Sequence, residues 1–140
     1  MRRLTVVFGL IFLFGVACQN ESKAAGIISY SRDPYIGDIE LAKHIISGYP
    51  SGITQFFDSG DTVNIWILWS SSVDSHLVTT KWYDPDSNFV DSSSVKIPPG
   101  DNIITIFSLR VYQRGEWHVN VFVDRTDFRA GLVFYVDTLR

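Results

Sequence analysis

Cysteine is nearly absent from this 140-residue chain, which has one cysteine, Cys18, close to its N-terminus. A single cysteine cannot form an intrachain disulfide, so a small domain held together by disulfides is excluded. It also cannot supply the paired cysteines of a structural zinc motif or a C-x-x-C redox motif. The chain must therefore be stabilised by a hydrophobic core, and 46% of its residues are apolar.

Clustered positive charge is also absent. The chain carries 12 Lys and Arg against 15 Asp and Glu, a formal net charge of −3, and its basic residues are scattered. DNA and RNA partners need a concentrated basic face, so we expect no nucleic-acid partner. The sequence has no glycine-rich phosphate loop and no G-x-S-x-G nucleophile elbow. We therefore expect a protein that is not an enzyme and binds no cofactor.

Residues 4–17 form an uncharged, mostly apolar run after the positively charged start MRR. A membrane-spanning helix needs roughly 20 apolar residues, so this run is short and is typical of a signal peptide. It ends in GVAC, residues 15–18, which resembles the lipobox of bacterial lipoproteins, with Gly15 where Leu is commonest. The resemblance implies signal cleavage between Ala17 and Cys18 and lipidation of Cys18. An ordinary secretory signal or an uncleaved anchor is the alternative.

The lipobox resemblance also implies a location. Lipidated Cys18 would tie the chain to a membrane of the bacterial cell envelope, and two or more acyl chains make such anchoring stable. Gln19 stands where an Asp often retains members of this class in the inner membrane, so the outer membrane is favoured if the host is Gram-negative. We expect a signal peptide at 1–17, a lipidated N-terminus and tether at 18–36, and one domain at 37–140.

Downstream of the tether, apolar residues recur with a period of two between short turn segments, which predicts β-strands. A short edge strand at 27–30 is left open, and 39–46 fits a helix or a strand, of which we favour the strand. The seven strands predicted for an all-β fold are 39–46, 62–70, 76–83, 89–97, 102–111, 116–123 and 132–137. Seven antiparallel strands in about 100 residues indicate an immunoglobulin-like sandwich, with Trp82 and Trp117 filling its core.

The C-terminal part of the sequence supports the same architecture. The segment GEWHVNVFVD followed by GLVFYV resembles the last hairpin of many bacterial immunoglobulin-like domains, with Gly115, Trp117, Phe134 and Val136 at the matching places. WYDPDSN similarly resembles the W-x-x-P-D-G hairpin of such domains, with Ser87 where Gly is usual. This resemblance implies the fold alone, because such folds carry unrelated functions.

Two metal motifs can be considered and neither is complete. Asp84, Asp86 and Asn88 match the start of an EF-hand loop, but Phe89 and Val95 replace its glycine and its bidentate glutamate. The three histidines, at positions 44, 76 and 118, are too far apart for a local zinc motif, and the last two should lie at opposite ends of neighbouring strands. We therefore expect no metal site.

Aromatic side chains on the outer faces of the predicted strands remain as the candidate site. Tyr83, Phe122 and Tyr135 should share one sheet face with three polar side chains, Lys81, His118 and Asn120. A contiguous exposed aromatic patch is typical of a surface that binds protein or glycan. The sequence thus favours an envelope lipoprotein that acts as a non-catalytic binding or scaffold module. The alternatives are a structural subunit that pairs through an edge strand and a small hydrolase with its site on the loops.

Overall fold

The computed structural model describes residues 24–137, and every regular element in that range is a β-strand. Alternating apolar residues rich in Val, Ile and Trp suit pleated strands with one buried face. The strands are β1 (Ala25–Ile28), β2 (Tyr35–Ile46), β3 (Tyr49–Ile53), β4 (Phe56–Asp58), β5 (Thr62–Ser72), β6 (His76–Tyr83), β7 (Phe89–Ile97), β8 (Gly100–Arg110), β9 (Gly115–Val123) and β10 (Asp127–Asp137).

These strands form two facing sheets. The first sheet, called sheet A, has six strands in the order β1-β10-β9-β6-β7, with β4 beside the second half of β10. The second, sheet B, has four strands in the order β3-β2-β5-β8. Over residues 24–137 every pairing is antiparallel except that of β4 with β10. The protein is therefore a β-sandwich of the immunoglobulin-like kind, as the sequence predicts.

Aromatic rings fill the space between the sheets, in the place that a disulfide occupies in many sandwiches. Trp82 and Trp117 are buried, as predicted, and Phe134 lies between them with ring centroids 6.2 and 5.8 Å away. Phe57 meets Phe134 edge-on at 5.5 Å. From sheet B, Trp69 is fully buried and its indole N–H donates to the Thr105 hydroxyl at 3.0 Å. Tightly packed rings thus replace the missing covalent link.

The seven predicted strands are all present, and the 39–46 segment is a strand, within β2. Three further strands join them. Strand β3 carries Pro50 and Gly52, which favour a turn in a sequence, yet it pairs with β2 at the edge of sheet B, where a proline is tolerated. Strand β4 has only three residues, too few to show a period. Strand β1 lies within the predicted 18–36 tether and pairs with β10, so the sandwich begins earlier than residue 37.

The predicted signal peptide, the cleavage after Ala17 and the lipidation of Cys18 lie outside the described residues and stay predictions. Within residues 24–137 no helix is long and apolar enough to cross a membrane.

Candidate binding surface

The six predicted site residues lie together on the outer face of sheet A. In the register of β6 with β9, Lys81 is opposite Asn120 and Tyr83 is opposite His118. The cation of Lys81 lies over the ring of Phe122, 5.3 Å from its centroid. Tyr135 follows on β10, opposite Glu116 of β9. We call these residues the outer aromatic surface: Lys81, Tyr83, His118, Asn120, Phe122 and Tyr135.

Each predicted aromatic residue of this surface has a second ring beside it that the sequence did not indicate. Tyr83 meets Phe89 of β7 at 6.0 Å, and Phe122 meets Phe128 of β10 at 5.9 Å, both edge-on. Tyr135 is stacked on Phe56 of β4 at 5.6 Å. The three added rings come from the edge of the sheet, from the start of β10 and from the short β4. Only the register of the strands brings them to this face.

The outer aromatic surface and the rings beside it are partly open to solvent, and within the surface Tyr83 and Phe122 are half-buried. Phe56 and Phe89 are 62% and 58% exposed, and Tyr135 is 37% exposed. The segment 27–35, which could have covered the rings, does not do so: strand β1 pairs along the edge of β10, and Ile27 is itself 73% exposed. Exposed rings at these positions contact water and do not pack in the core, and apolar surface of this kind is typical of a binding surface.

Polar groups separate the ring pairs. His118 Nε2 lies 2.9 Å from Glu116 Oε2, and both side chains are about half exposed. A shallow depression of about 310 Å³ lies between Tyr83, Ser87, His118 and Asn120. Gly131 lets the Phe128 ring lie close to the backbone of β10, because a Cβ there would be 3.2 Å from the Phe128 ring and 3.5 Å from the Asn120 amide oxygen. The surface therefore offers hydrogen-bonding groups between apolar faces.

A larger groove adjoins the surface where β10 ends and β9 begins. It measures about 650 Å³ and is lined by Lys43, Phe56, Asp58, Glu116, Tyr135 and Asp137, among others. That volume is in the usual range of small-ligand sites, roughly 300–1,000 Å³. Phe56 and Tyr135 belong to both the groove and the exposed rings, so the two features are continuous.

A charged cluster closes the opposite end of the sandwich. Each ring nitrogen of His76 is 2.7 Å from a carboxylate, Nε2 from Asp33 and Nδ1 from Asp124. Burial favours the neutral ring, but the hydrogen bonds to Asp124 and Asp33 outweigh it and raise the pKa of His76 above its ordinary value. Burial is likewise outweighed at Asp33 by hydrogen bonds from the Val73 N–H and His76, so the pKa of Asp33 is lowered. We call this cluster, Asp33, His76 and Asp124, the acid–histidine clamp.

Arg129 lies at the same end of the sandwich as the acid–histidine clamp. Its side chain is 1% exposed, and its guanidinium donates to the carbonyl oxygens of Arg32, Asp33 and Pro34 and to the Asp127 carboxylate. The N-terminal segment that leads into β2 is thus fastened to β10 by one buried cation. A charge so deeply buried is tolerated because it donates four hydrogen bonds, one of them to a carboxylate.

The arrangement of His76 also bears on the hydrolase alternative. A histidine beside an aspartate at a loop end resembles part of a catalytic triad. A general base, however, needs one ring nitrogen directed at the nucleophile, and both nitrogens of His76 contact carboxylates. The nearby Ser72 hydroxyl donates to the Asp74 carbonyl oxygen instead. The cluster has the contacts of a structural clamp.

The residues of the two incomplete metal motifs have other contacts in the structure. Asp84 Oδ1 accepts hydrogen bonds from the backbone N–H groups of Asp86 and Asn88, so its carboxylate organises the turn between β6 and β7. His76 begins β6 whereas His118 is opposite Tyr83 at its other end, as the sequence predicts. Among the described residues no group of three or more His, Cys, Asp or Glu side chains could hold a metal ion.

Comparison with known proteins bears on the fold alone. No family model and no curated protein matches the chain. Among solved structures, the C-terminal domain of wzt superposes with a TM-score of 0.53 at 11% identity, over 84% of this chain and 80% of that chain. The CARDB domain of a Pyrococcus furiosus protein, crystallised with two metal ions, has a TM-score of 0.43 at 11% identity, over 78% of this chain and all 100% of that chain. A Trichoderma reesei beta-D-glucoside glucohydrolase has a TM-score of 0.43 at 16% identity, over 80% of this chain and 19% of that chain. At 11% identity the likeness to the first of these structures shows a shared fold alone.

Proposed function

We propose that this protein is a lipid-anchored, non-catalytic binding module of the bacterial cell envelope, and that its outer aromatic surface contacts a protein or glycan partner. The observation that carries the proposal is the set of three ring pairs on one face of sheet A, each with at least one exposed ring. Aromatic side chains are the residues that most often dominate binding energy at interfaces. The polar groups between them can fix the orientation of what binds.

The predicted lipid anchor at Cys18 is consistent with the proposed role. A module tied to a membrane through Cys18 would search for its partner in two dimensions, at a high effective concentration. We expect labelled palmitate to be incorporated into the native chain and not into a Cys18→Ser variant. The variant should leave the membrane fraction, whereas a control variant, Ser22→Ala, should not. A Cys18→Ser chain that still takes up label and stays in the membrane would contradict the anchoring part of the proposal.

A second candidate function rests on strand β7. It is the edge of sheet A, and all of its residues except Ile97 are exposed. An edge strand presents unpaired backbone N–H and C=O groups to which a partner strand can add. The protein would then be a structural subunit of a larger envelope complex that pairs along β7.

Paired variants separate the two functions. The native chain, crosslinked in intact cells and isolated by an affinity tag, should carry a discrete adduct. Phe122→Ser with Tyr135→Ser should abolish that adduct, because the ring contacts are lost. Ser93→Lys with Val95→Lys places charges on the other face of the edge strand, away from Lys81 and Phe122, and should leave the adduct unchanged. The reverse result would reject the outer aromatic surface and favour pairing along β7.

A further inference from the structure

The groove next to Tyr135 combines aromatic rings with a carboxylate in one row. Across β4, β10 and β9, the register places Phe56 beside Tyr135 and Tyr135 beside Glu116. Side chains directly opposite each other in a sheet have Cβ atoms about 5 Å apart, so the three side chains form a continuous row on the outer face. The rings of Phe56 and Tyr135 are stacked, with planes inclined by only 21°, so the pair forms an apolar wall next to the carboxylate.

Among the described residues that line the groove, carboxylates outnumber cations. Its lining includes three carboxylates, on Asp58, Glu116 and Asp137, and one cation, Lys43. The Lys43 ammonium lies 3.8 Å from the Asp58 carboxylate and 3.6 Å from that of Asp61, outside the row of rings. Glu116 contacts the half-exposed ring of His118, whose Nε2 lies 2.9 Å from Glu116 Oε2. A concave site with an excess of carboxylates attracts cations and disfavours anions.

The aromatic rings strengthen the preference of the groove for cations. The π-face of a phenyl or phenol ring carries partial negative charge, and ammonium and guanidinium groups bind over it within about 6 Å of its centroid. Phe56 is 62% exposed, so a ligand can reach its ring. A carboxylate beside two accessible rings is complementary to an organic cation, whose charged group can pair with the carboxylate while its carbon atoms contact the rings. An inorganic cation would use the carboxylate alone, and a neutral sugar would leave the charge uncompensated.

We propose that this groove binds an organic cation, an ammonium or guanidinium group, between Glu116 and the rings of Phe56 and Tyr135. The inference rests on the proposed function, since Tyr135 belongs to the outer aromatic surface, and it adds the chemistry recognised at one end of that surface. The cation is either a free small molecule or the Lys or Arg side chain of a protein partner.

The test uses the full chain purified in detergent and follows binding by calorimetry and by two-dimensional NMR. The probes are tetramethylammonium, L-argininamide, a Gly-Arg-Gly peptide with neutral termini, glucose and acetate. We expect saturable binding of the cations, resonance shifts that centre on Phe56 and Tyr135, and no binding of glucose or acetate. Tighter binding of the peptide than of both small cations indicates a protein side chain, and the opposite order indicates a free ligand.

Matched variants locate the site. Glu116→Gln and Tyr135→Ala should each weaken cation binding about tenfold, the range expected for losing a charge partner or a cation–π contact. Asp101→Asn removes a similarly exposed carboxylate from the start of β8 and should change nothing. The chemical-shift dispersion in the NMR spectrum of each variant establishes that the variant is folded. Glucose bound as well as the cations, no cation bound at all, or unchanged affinity in Glu116→Gln would each overturn the inference.

The two proposals can fail separately. A chain that binds no cation but still forms its cellular adduct through Phe122 would refute the groove ligand alone. A chain that binds cations but forms no adduct in cells would refute the proposed partner surface while retaining the groove site.

Discussion

Replacement of His76 by alanine should weaken the fold in a way that depends on pH. His76 begins β6, and its ring holds Asp33 of the N-terminal segment and Asp124 of the turn after β9 in place. Both carboxylates also accept backbone hydrogen bonds, from the N–H groups of Val73 and Leu77. Removing the ring leaves the backbone bonds intact and takes away the single group that joins the two acids.

The size of the effect follows from the two contacts. The His76 side chain is 12% exposed and that of Asp33 25% exposed, so this contact should contribute about 1.5 kcal/mol, as hydrogen bonds to charged groups do. The Asp124 side chain is 56% exposed, so solvent screening reduces the second contact to about 0.5 kcal/mol. His76→Ala should therefore lower the free energy of unfolding by about 2 kcal/mol near pH 6.

The pH dependence has a definite sign. The pKa of His76 is raised in the folded state above its ordinary 6.5, so its contribution is complete below pH 6.5 and is lost as the pH rises through the folded value. The pKa values of Asp33 and Asp124 are lowered from 3.8, so their contributions are complete above pH 3.8 and are lost as the pH falls through the folded values. The acid–histidine clamp is thus strongest between these limits.

Urea denaturation followed by tryptophan fluorescence, at several pH values from 5 to 9, measures the effect. The difference in unfolding free energy between the native chain and His76→Ala should be largest at pH 5–6 and should shrink as the solution becomes alkaline. His118→Ala is the control, because its contact with Glu116 is exposed to solvent and should contribute less than about 1 kcal/mol. A His76→Ala difference that stays constant, or grows, between pH 6 and pH 9 would refute the reasoning.

Three further substitutions test the fold by urea denaturation. Arg129→Met leaves three backbone carbonyl groups without their buried donor and should cost about 3 kcal/mol or more, against almost nothing for the exposed Arg110→Met. Phe134→Ala removes the ring shared by the core aromatics and should cost about 3–5 kcal/mol, and an equal effect of Phe128→Ala would contradict this. Trp69→Phe leaves the Thr105 hydroxyl unpaired and should cost about 1–3 kcal/mol, with part of the loss recovered on adding Thr105→Val.

The long strands were predictable because each contains enough apolar residues for its own sequence to indicate a strand. The alternation of buried Trp and Val in β9 identifies both the strand and its inward face, whereas β5 is recognised as a strand buried on both faces. Strand β3 was not predictable, because Pro50 and Gly52 are the residues of a turn and only pairing with β2 makes the segment extended. Strand β4 is defined by its neighbour β10 and has no period of its own.

The site was predictable in part for the same reason. Tyr83, Phe122 and Tyr135 belong to strands whose faces can be assigned, so their shared surface follows once those strands are neighbours. The partner rings Phe56 and Phe89 depend on register and on a parallel pairing, which no local pattern encodes. The acid–histidine clamp joins residues separated by 43 and 48 positions, so only the completed fold brings it together.

The central claim is that the outer aromatic surface is the one that meets a partner in the envelope. Site-specific photocrosslinking in intact cells tests it most directly, because an inserted carbene reacts with protein and glycan alike. We would place the crosslinker at Tyr83 or Phe122 on the surface, at Ser93 on β7, and at Ser70 on exposed sheet B. We expect discrete adducts from crosslinkers at Tyr83 and Phe122 and none from a crosslinker at Ser70. Adducts confined to Ser93 or Ser70 would contradict it.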